Sequence, residues 1–362
     1  MKKEGVMILV INTGSTSTKL AAFRDEAELF VVGIEHSRQE LDQFDSVLDQ
    51  ADMRTKAVLD FIEREGLKPP DFDVIASRGG AFGIFKGGGY VIDDAIVKLA
   101  SRSRPGFPVT ASWLAALIAG ALSRQYNIPA YFYNAVRTDE LCDYARYSGL
   151  SFIKREAAAH PLNTKEVGRR VAEQSGRKYE DCNFLICHMG GGISAEMHCK
   201  GQMIDKICSD EGAFTPERAG NIPNDSLVEL CFSGKYTQKE IKSYLRGRGG
   251  LIDYLGTSSV TEVEARIKNG DKKAEEVLAV MAYMVAKDIG SMVTTVNGDI
   301  DNIIFTGGIA HSAYFTDLVR RRVEWIAPVV MVPGSFELEA LAHGILRIYR
   351  GEETVRHFLP EK

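Results

Sequence analysis

Leu9-Val10-Ile11-Asn12-Thr13-Gly14-Ser15-Thr16-Ser17 and Leu185-Ile186-Cys187-His188-Met189-Gly190-Gly191-Gly192-Ile193 align residue for residue without a gap. Each begins as a short apolar run with the length and β-branching of a buried strand, and each continues into small residues that suit a tight hairpin. In both, a polar residue stands two positions before the first glycine. Internal duplication accounts for the likeness; so do two unrelated hairpins, because Gly and Ser are the usual turn residues.

Working outward, strands and helices alternate, which predicts an α/β protein. Strands are expected at 7–12 with a return at 19–23, at 184–188 with a return at 194–198, and at 301–305, ending in Thr306-Gly307-Gly308-Ile309. Helical periodicity covers 54–66, 111–126, 163–175 and a long apolar 274–296, with Thr110 a candidate N-cap for the second. Thr237-Gln238-Lys239-Glu240 and Ser259-Val260-Thr261-Glu262 read as capping boxes.

A chain of 362 residues exceeds one compact core, so two domains are expected. The net charge of −5, without a basic stripe, argues against a nucleic-acid partner. The N-terminal apolar run is shorter than a secretory signal, and the apolar stretch 111–122 is too short to span a bilayer. The expected setting is the cytoplasm, with no membrane partner. None of the cysteines at 142, 182, 187, 199, 208 and 231 forms a CxxC pair, so buried free thiols fit better than zinc.

Hairpins of Gly, Ser and Thr let backbone N–H groups and hydroxyls approach phosphate oxygens. Asn12, Ser15, Thr16, Ser17 and Lys19 supply donors on the first hairpin; His188 with Gly190, Gly191 and Gly192 stands on the second. Neither GxxxxGK[ST] nor a GxGxxG turn after the first strand is present, which excludes a P-loop and a dinucleotide fingerprint. Phosphoryl transfer also needs cations where charge develops, and Arg78 and Arg218 both lie in glycine-bearing loop sequence. Plainer accounts stand beside these: a solvated arginine, a satisfied core histidine at 188, and a helix-dipole role for Glu337 in the first turn of the last helix.

The motifs Asn12-Thr-Gly-Ser-Thr-Ser-Thr-Lys19, Ser77-Arg78-Gly-Gly, His188-Met-Gly-Gly-Gly-Ile-Ser194, Phe214-Thr-Pro-Glu-Arg218 and Thr306-Gly-Gly-Ile-Ala310 appear in that order. Together with Cys231-Phe-Ser-Gly234, Tyr254-Leu-Gly-Thr-Ser258 and Leu346-Arg-Ile-Tyr-Arg-Gly-Glu352, they resemble the butyrate kinase pattern, within the acetate, propionate and butyrate kinase family. The resemblance implies two duplicated ribonuclease-H-like domains of the actin-like ATPase superfamily with an interdomain cleft. The division it suggests is 1–160 plus 341–362 for the acyl side and 161–340 for the nucleotide side. It implies ATP and Mg2+ as cofactors and a small carboxylate, butanoate first, as phosphoryl acceptor. A kinase for another short or branched acid, or a weakened nucleotide-binding paralogue, is the alternative. Dimers or larger homo-oligomers are implied as well.

By the same resemblance, Arg78 and Arg218 hold the transferring phosphoryl group and the acyl carboxylate, and His188 hydrogen-bonds the phosphoryl oxygens. Asn12, Ser15 and Lys19 sit near the β- and γ-phosphates, and Gly190, Gly191 and Gly192 line the phosphate path. Gly307, Gly308 and Ile309 face the adenosine, and Glu337 is the magnesium-side carboxylate. Two segments depart from the pattern. Asn134 replaces the first aspartate of an Asp-Pro-Val-Val-Val-Asp-Glu segment, and Thr110-Ala-Ser-Trp113-Leu-Ala115 replaces His-Ala-Ser-Asn-Leu-Gly. Asn134 is accordingly expected beside metal and acyl group, with Asn134→Asp raising turnover, and Trp113 is expected either in the core or shaping the acyl pocket.

Overall fold

The computed structural model describes residues 5–107, 109–208 and 210–359. The chain divides after Asp139 and again after Ser335: the two outer segments form one compact unit and the middle segment another. The sequence had suggested crossings near 160 and 340.

The first unit holds β1 (Met7–Thr13), β2 (Ser17–Arg24), β3 (Ala27–Glu35), β4 (Val74–Arg78), β5 (Gly89–Val91) and β6 (Ala130–Tyr133) in one sheet, ordered β3-β2-β1-β4-β6-β5. The second holds β7 (Asn183–Met189), β8 (Ile193–Cys199), β9 (Gln202–Cys208), β10 (Asn302–Gly307) and β11 (Val329–Pro333), ordered β11-β10-β7-β8-β9. Reading the second from its other edge, β9-β8-β7-β10-β11 repeats β3-β2-β1-β4-β6 strand for strand. In each, an antiparallel meander of three leads into parallel partners on the other side of the first strand. Topology therefore decides for duplication over two unrelated hairpins. The gapless alignment fails in one respect. Thr13 pairs Thr18 whereas Met189 pairs Ile193, so the first hairpin is one residue longer. The antiparallel edge strand β5 belongs to the first unit alone.

Every residue of β1 is buried because helices cover both faces. Leu9 and Ile11 join a core with Val58, Leu114 and Ile118 from helices Ala51–Arg64 and Leu114–Tyr126. Ile8 and Val10, equally buried, point the other way, toward the last helix, Glu337–Tyr349, which packs on β1, β4 and β6. The second unit repeats the scheme. Leu185, Cys187 and Met189 enter a core with helix Lys272–Met292, while helix Pro161–Gln174 packs on β7 and β10. Helix Lys272–Met292, with the 3-10 turn Val293–Val296, is long and apolar enough to cross a membrane. It is instead a core helix. Ala274, Leu278, Met281, Val285 and Ile289 bury one face at helical spacing, while Lys273, Glu276 and Lys287 are exposed.

Several local expectations need correction. Thr110 precedes a 3-10 turn, Ala111–Trp113, makes no capping bond to it, and bonds Ser112 Oγ instead. Thr237 and Glu240 form the full capping box, but Ser259 only accepts from Glu262 N–H, because the Glu262 carboxylate turns to Thr257. Cys142 and Cys231 are exposed rather than buried, and no group of three metal-ligating side chains occurs among the described residues.

Within helix Lys272–Met292, burial pushes the Asp288 carboxyl up to about 6, although Oδ2 accepts from Ala213 N–H at 2.7 Å and Lys287 opposes the shift. A carboxyl raised in the folded state favours folding at low pH and loses that contribution as pH rises through the folded value. Asp288→Asn keeps the acceptor oxygen without the charge. It is expected to raise the unfolding temperature at pH 8 and leave it nearly unchanged at pH 4; calorimetry at the two pH values checks this, and equal shifts would refute it.

Candidate active-site residues

In the first unit the period of two decides which residue is presented. Asn12 ends β1 on the face covered by helix Glu337–Tyr349, and its Nδ2 donates to Glu337 Oε2 at 3.0 Å. Arg78, at the end of the adjacent parallel strand β4, donates Nη1 to the same carboxylate oxygen. Glu337 is the first residue of its helix, so the dipole stabilises its charge and so does the guanidinium. These three side chains line an open cavity of about 400 Å³ together with Ser15, Ser17 and Lys19. Lys19 pairs across the hairpin with Asn12, which places its side chain beside the strand end. Thr110, Ala111, Ser112 and Val136 also face this space; sequence reading had missed them as lining residues.

Two expected site residues do not reach the cavity. Trp113 is fully buried and meets Phe82 edge to face at 6.0 Å, so it is core. Its neighbours Ala111 and Ser112 take the position expected of it. Asn134 is buried with a left-handed backbone (φ 40°), its Oδ1 accepts from Gly88 N–H at 2.9 Å, and its own N–H donates to Gly88 O at 3.1 Å. Its side-chain oxygen is thus committed to a turn, as asparagine's tolerance of positive φ allows, rather than to metal or acyl group.

The second unit presents His188 by the same logic. It lies on the even-numbered side of β7, beneath helix Pro161–Gln174, where Asn163 Nδ2 donates to its Nδ1 at 3.1 Å. The other amide hydrogen of Asn163 goes to Thr306 Oγ1 at 3.3 Å, and Thr306 donates to Gly334 O at 3.2 Å. With the Asn163 amide in this orientation Nδ1 accepts, which corresponds to the neutral tautomer with its proton on Nε2. Nε2 lies about 3.5 Å from where a Cβ on Gly190 would be, so it faces the glycine hairpin. His188 is thus half-buried at the strand end rather than enclosed in the core.

His160, not singled out by sequence, stacks on His188 with centroids 4.2 Å apart. Its Nδ1 contacts Ser194 Oγ at 2.9 Å, and that hydroxyl donates to Glu196 Oε1 at 2.7 Å. Glu196 is fully buried. Burial alone would raise its pKa, but His198, His160 and the Thr164 hydroxyl outweigh it and hold the carboxyl well below the ordinary range, at about 2. The only sequence signal for His160 was the Pro that follows it at the helix start.

The loop carrying Arg218 is tied to the glycine hairpin: Thr215 Oγ1 donates to Gly191 O at 2.7 Å, and Glu217 N–H to the same oxygen at 3.2 Å. A Cβ at Gly192 would lie 2.4 Å from the Arg218 guanidinium carbon, so the missing side chain is what admits the arginine. Gly307 has φ 89°, and a Cβ there would stand 2.4 Å from Met189 O; only glycine fits. Gly308 is exposed and Ile309 half-buried in the 3-10 turn that follows β10. His188 and Thr306 pair across neighbouring parallel strands, so these glycines open from the carboxyl end of the sheet, the usual ligand edge of an α/β sheet.

A family model described as the acetokinase family matches residues 144–327, just over half of the chain. Among solved structures, the chain is similar to Porphyromonas gingivalis acetate kinase, with 16% identity, a TM-score of 0.78, and coverage of 95% of this chain and 100% of that one. A propionate kinase from Francisella tularensis subsp. tularensis SCHU S4 gives 17% identity, a TM-score of 0.76, and coverage of 94% and 98%. Acetate kinase from Entamoeba histolytica gives 15%, 0.76, and coverage of 93% and 98%. At these identities the likeness is one of fold.

Two substitutions test the geometry. Asn163→Ala removes the donor to Nδ1 and is expected to let the Nδ1–H tautomer of His188 appear in ¹⁵N histidine spectra, whereas the wild-type ring should show Nε2–H alone. Asn134→Asp keeps the oxygen that holds Gly88 and adds a buried charge. It is expected to destabilise by about 1–3 kcal/mol without raising turnover, and a gain in turnover with magnesium would restore the metal role.

Proposed function

Because this chain belongs to the acetokinase family, we propose that it transfers the γ-phosphoryl group of ATP to a short-chain carboxylate, butanoate first among them. The observation that carries the acceptor class is the set of charges around the first-unit cavity. Among its described lining residues Glu337 is the one carboxylate, and it is paired with Arg78 and Asn12. An alcohol acceptor requires a base to remove its proton, and no second carboxylate lines this space to serve. A carboxylic acid is already ionised at neutral pH and needs a cation instead. Arg78 and Lys19 supply that charge. Ala111 and Val136 are small apolar surfaces of the size a short acyl chain covers, which supports a short acceptor.

In this reading Arg78 holds the acyl carboxylate and neutralises charge on the moving phosphoryl group, with its planar fork suited to both. In the second unit, His188 and Arg218 are the side chains suited to phosphate oxygens. Ser15, Ser17 and the hairpin amides receive phosphate oxygens. A magnesium ion that arrives with the nucleotide requires one or two protein carboxylates beside phosphate and water ligands. Glu337 at the cavity fits that need, whereas Asn134 does not. The metal would supply charge neutralisation on the phosphates. The closely related alternative, another short or branched acid, shares every one of these contacts.

Trapping acyl phosphates with hydroxylamine separates the acceptors. Acetate, propanoate, butanoate, isobutanoate and glucose would be offered with ATP and magnesium. The expected order puts butanoate first and glucose at background. A stronger signal with another acid would move the assignment to that acid, and no hydroxamate from any would end the kinase reading. Arg78→Lys keeps the charge and loses the fork, and should lower kcat on the order of a hundredfold.

A further inference from the structure

Arg54, on helix Ala51–Arg64, is completely buried, yet every acceptor it meets is neutral. Its Nη1 donates to Gly14 O at 2.9 Å, Ser17 O at 3.0 Å and Thr18 Oγ1 at 3.3 Å. Nη2 donates to Ser15 O and Gln50 Oε1, both at 2.9 Å, and Nε to Gln50 Oε1 at 3.2 Å. Among the described residues no carboxylate lies within ion-pair distance of it. An arginine in this setting stays charged, although burial pulls its pKa down. His36, whose Nε2 meets Thr18 Oγ1 at 2.9 Å, does not offset the charge either. Burial and Arg54 both lower its pKa, and Glu40 and Glu35 oppose that only in part.

A buried charge without a counter-charge is costly, and proteins keep one where something else supplies the partner. Here the three carbonyls it gathers belong to residues 14, 15 and 17, the hairpin that lines the cavity. Drawing these carbonyls inward turns the remaining amides outward. Among the described residues no acceptor takes the N–H of Ser15 or Thr16, both exposed. Outward amides over a buried cation make an anion-binding concavity.

We propose that Arg54 is a positioning residue for polyphosphate binding. It sets the hairpin with its carbonyls inward and amides outward, and its uncompensated charge, one layer behind, is matched when the phosphate groups of the nucleotide arrive. The inference rests on the phosphate-binding reading of this hairpin but not on the identity of the acyl acceptor. It gives the positive charge near the phosphates a third source besides Arg78 and Lys19.

Calorimetric titration of ATP, pyrophosphate and adenosine into wild type, Arg54→Lys and Arg54→Met tests it, with unfolding temperatures recorded without ligand. Arg54→Met is expected to weaken ATP and pyrophosphate on the order of tenfold and leave adenosine unchanged, with Arg54→Lys in between. A purely structural arginine would lower the unfolding temperature while the folded fraction kept its wild-type Kd for pyrophosphate, and that result overturns the proposal. Should Arg54→Met fail to fold, Arg54→Lys decides on the same criterion, because it keeps the charge but one nitrogen with three donors cannot reach the five acceptors that the guanidinium holds. Wild-type protein that ignores pyrophosphate would overturn the hairpin reading itself. Arg54-dependent ATP binding with no acyl phosphate from any acid would overturn only the acceptor.

Discussion

A strand buried on both faces can offer a polar side chain to a ligand only where it ends, and that constraint organises both halves of this protein. β1 until its last residues, and β7 between Asn183 and His188, are apolar, because helices cover either side and an unpaired polar group in between would be expensive. At the end, the alternation of side chains assigns Asn12 and His188 to the side facing one particular helix, and the chemistry begins there. The two helices differ in sequence but start at equivalent places. Glu337 opens one and meets Asn12; Asn163, in the first turn of the other, meets His188.

The duplicated frame therefore yields two sites of opposite character. In the first unit the strand end, its parallel neighbour and the helix start give Asn12, Arg78 and Glu337, a charged trio whose one negative member is held by a cation. In the second the same three places carry His188, Thr306 and Asn163, an uncharged chain of hydrogen bonds that meets the imidazole at Nδ1. Glycines complete both sites by omission. Gly192 leaves room for the Arg218 guanidinium and Gly307 lets the chain turn over Met189, so space a side chain would have filled is taken by other parts of the protein.

Support for these groups comes from behind. Arg54 under one hairpin, and Glu196 with Ser194 and His160 under the other, are buried polar assemblies whose members are bonded to one another. Such assemblies raise the penalty for any other arrangement of the hairpins they hold, which is how a loop of small residues, intrinsically pliant, keeps a set shape.

Read alone, the sequence determined what short-range rules govern. It gave the alternating α/β plan, the buried strands by their apolar runs, the hairpins by their small residues, and the motif order that marks the family. Arg78, Arg218, His188 and Glu337 stood out as candidates through the motifs around them. What the fold alone decided involves partners far apart in sequence. Asn134 looked like a ligand until Gly88 claimed its oxygen, Trp113 was open between core and pocket wall until Phe82 placed it in the core, and His160 gave little sign until it stacked on His188. In the sequence, Arg54 marked only the start of a helical span. A side chain's role follows from which polar groups remain unmet once the backbone has folded, and that balance is struck between elements tens to hundreds of residues apart, where no local pattern records it.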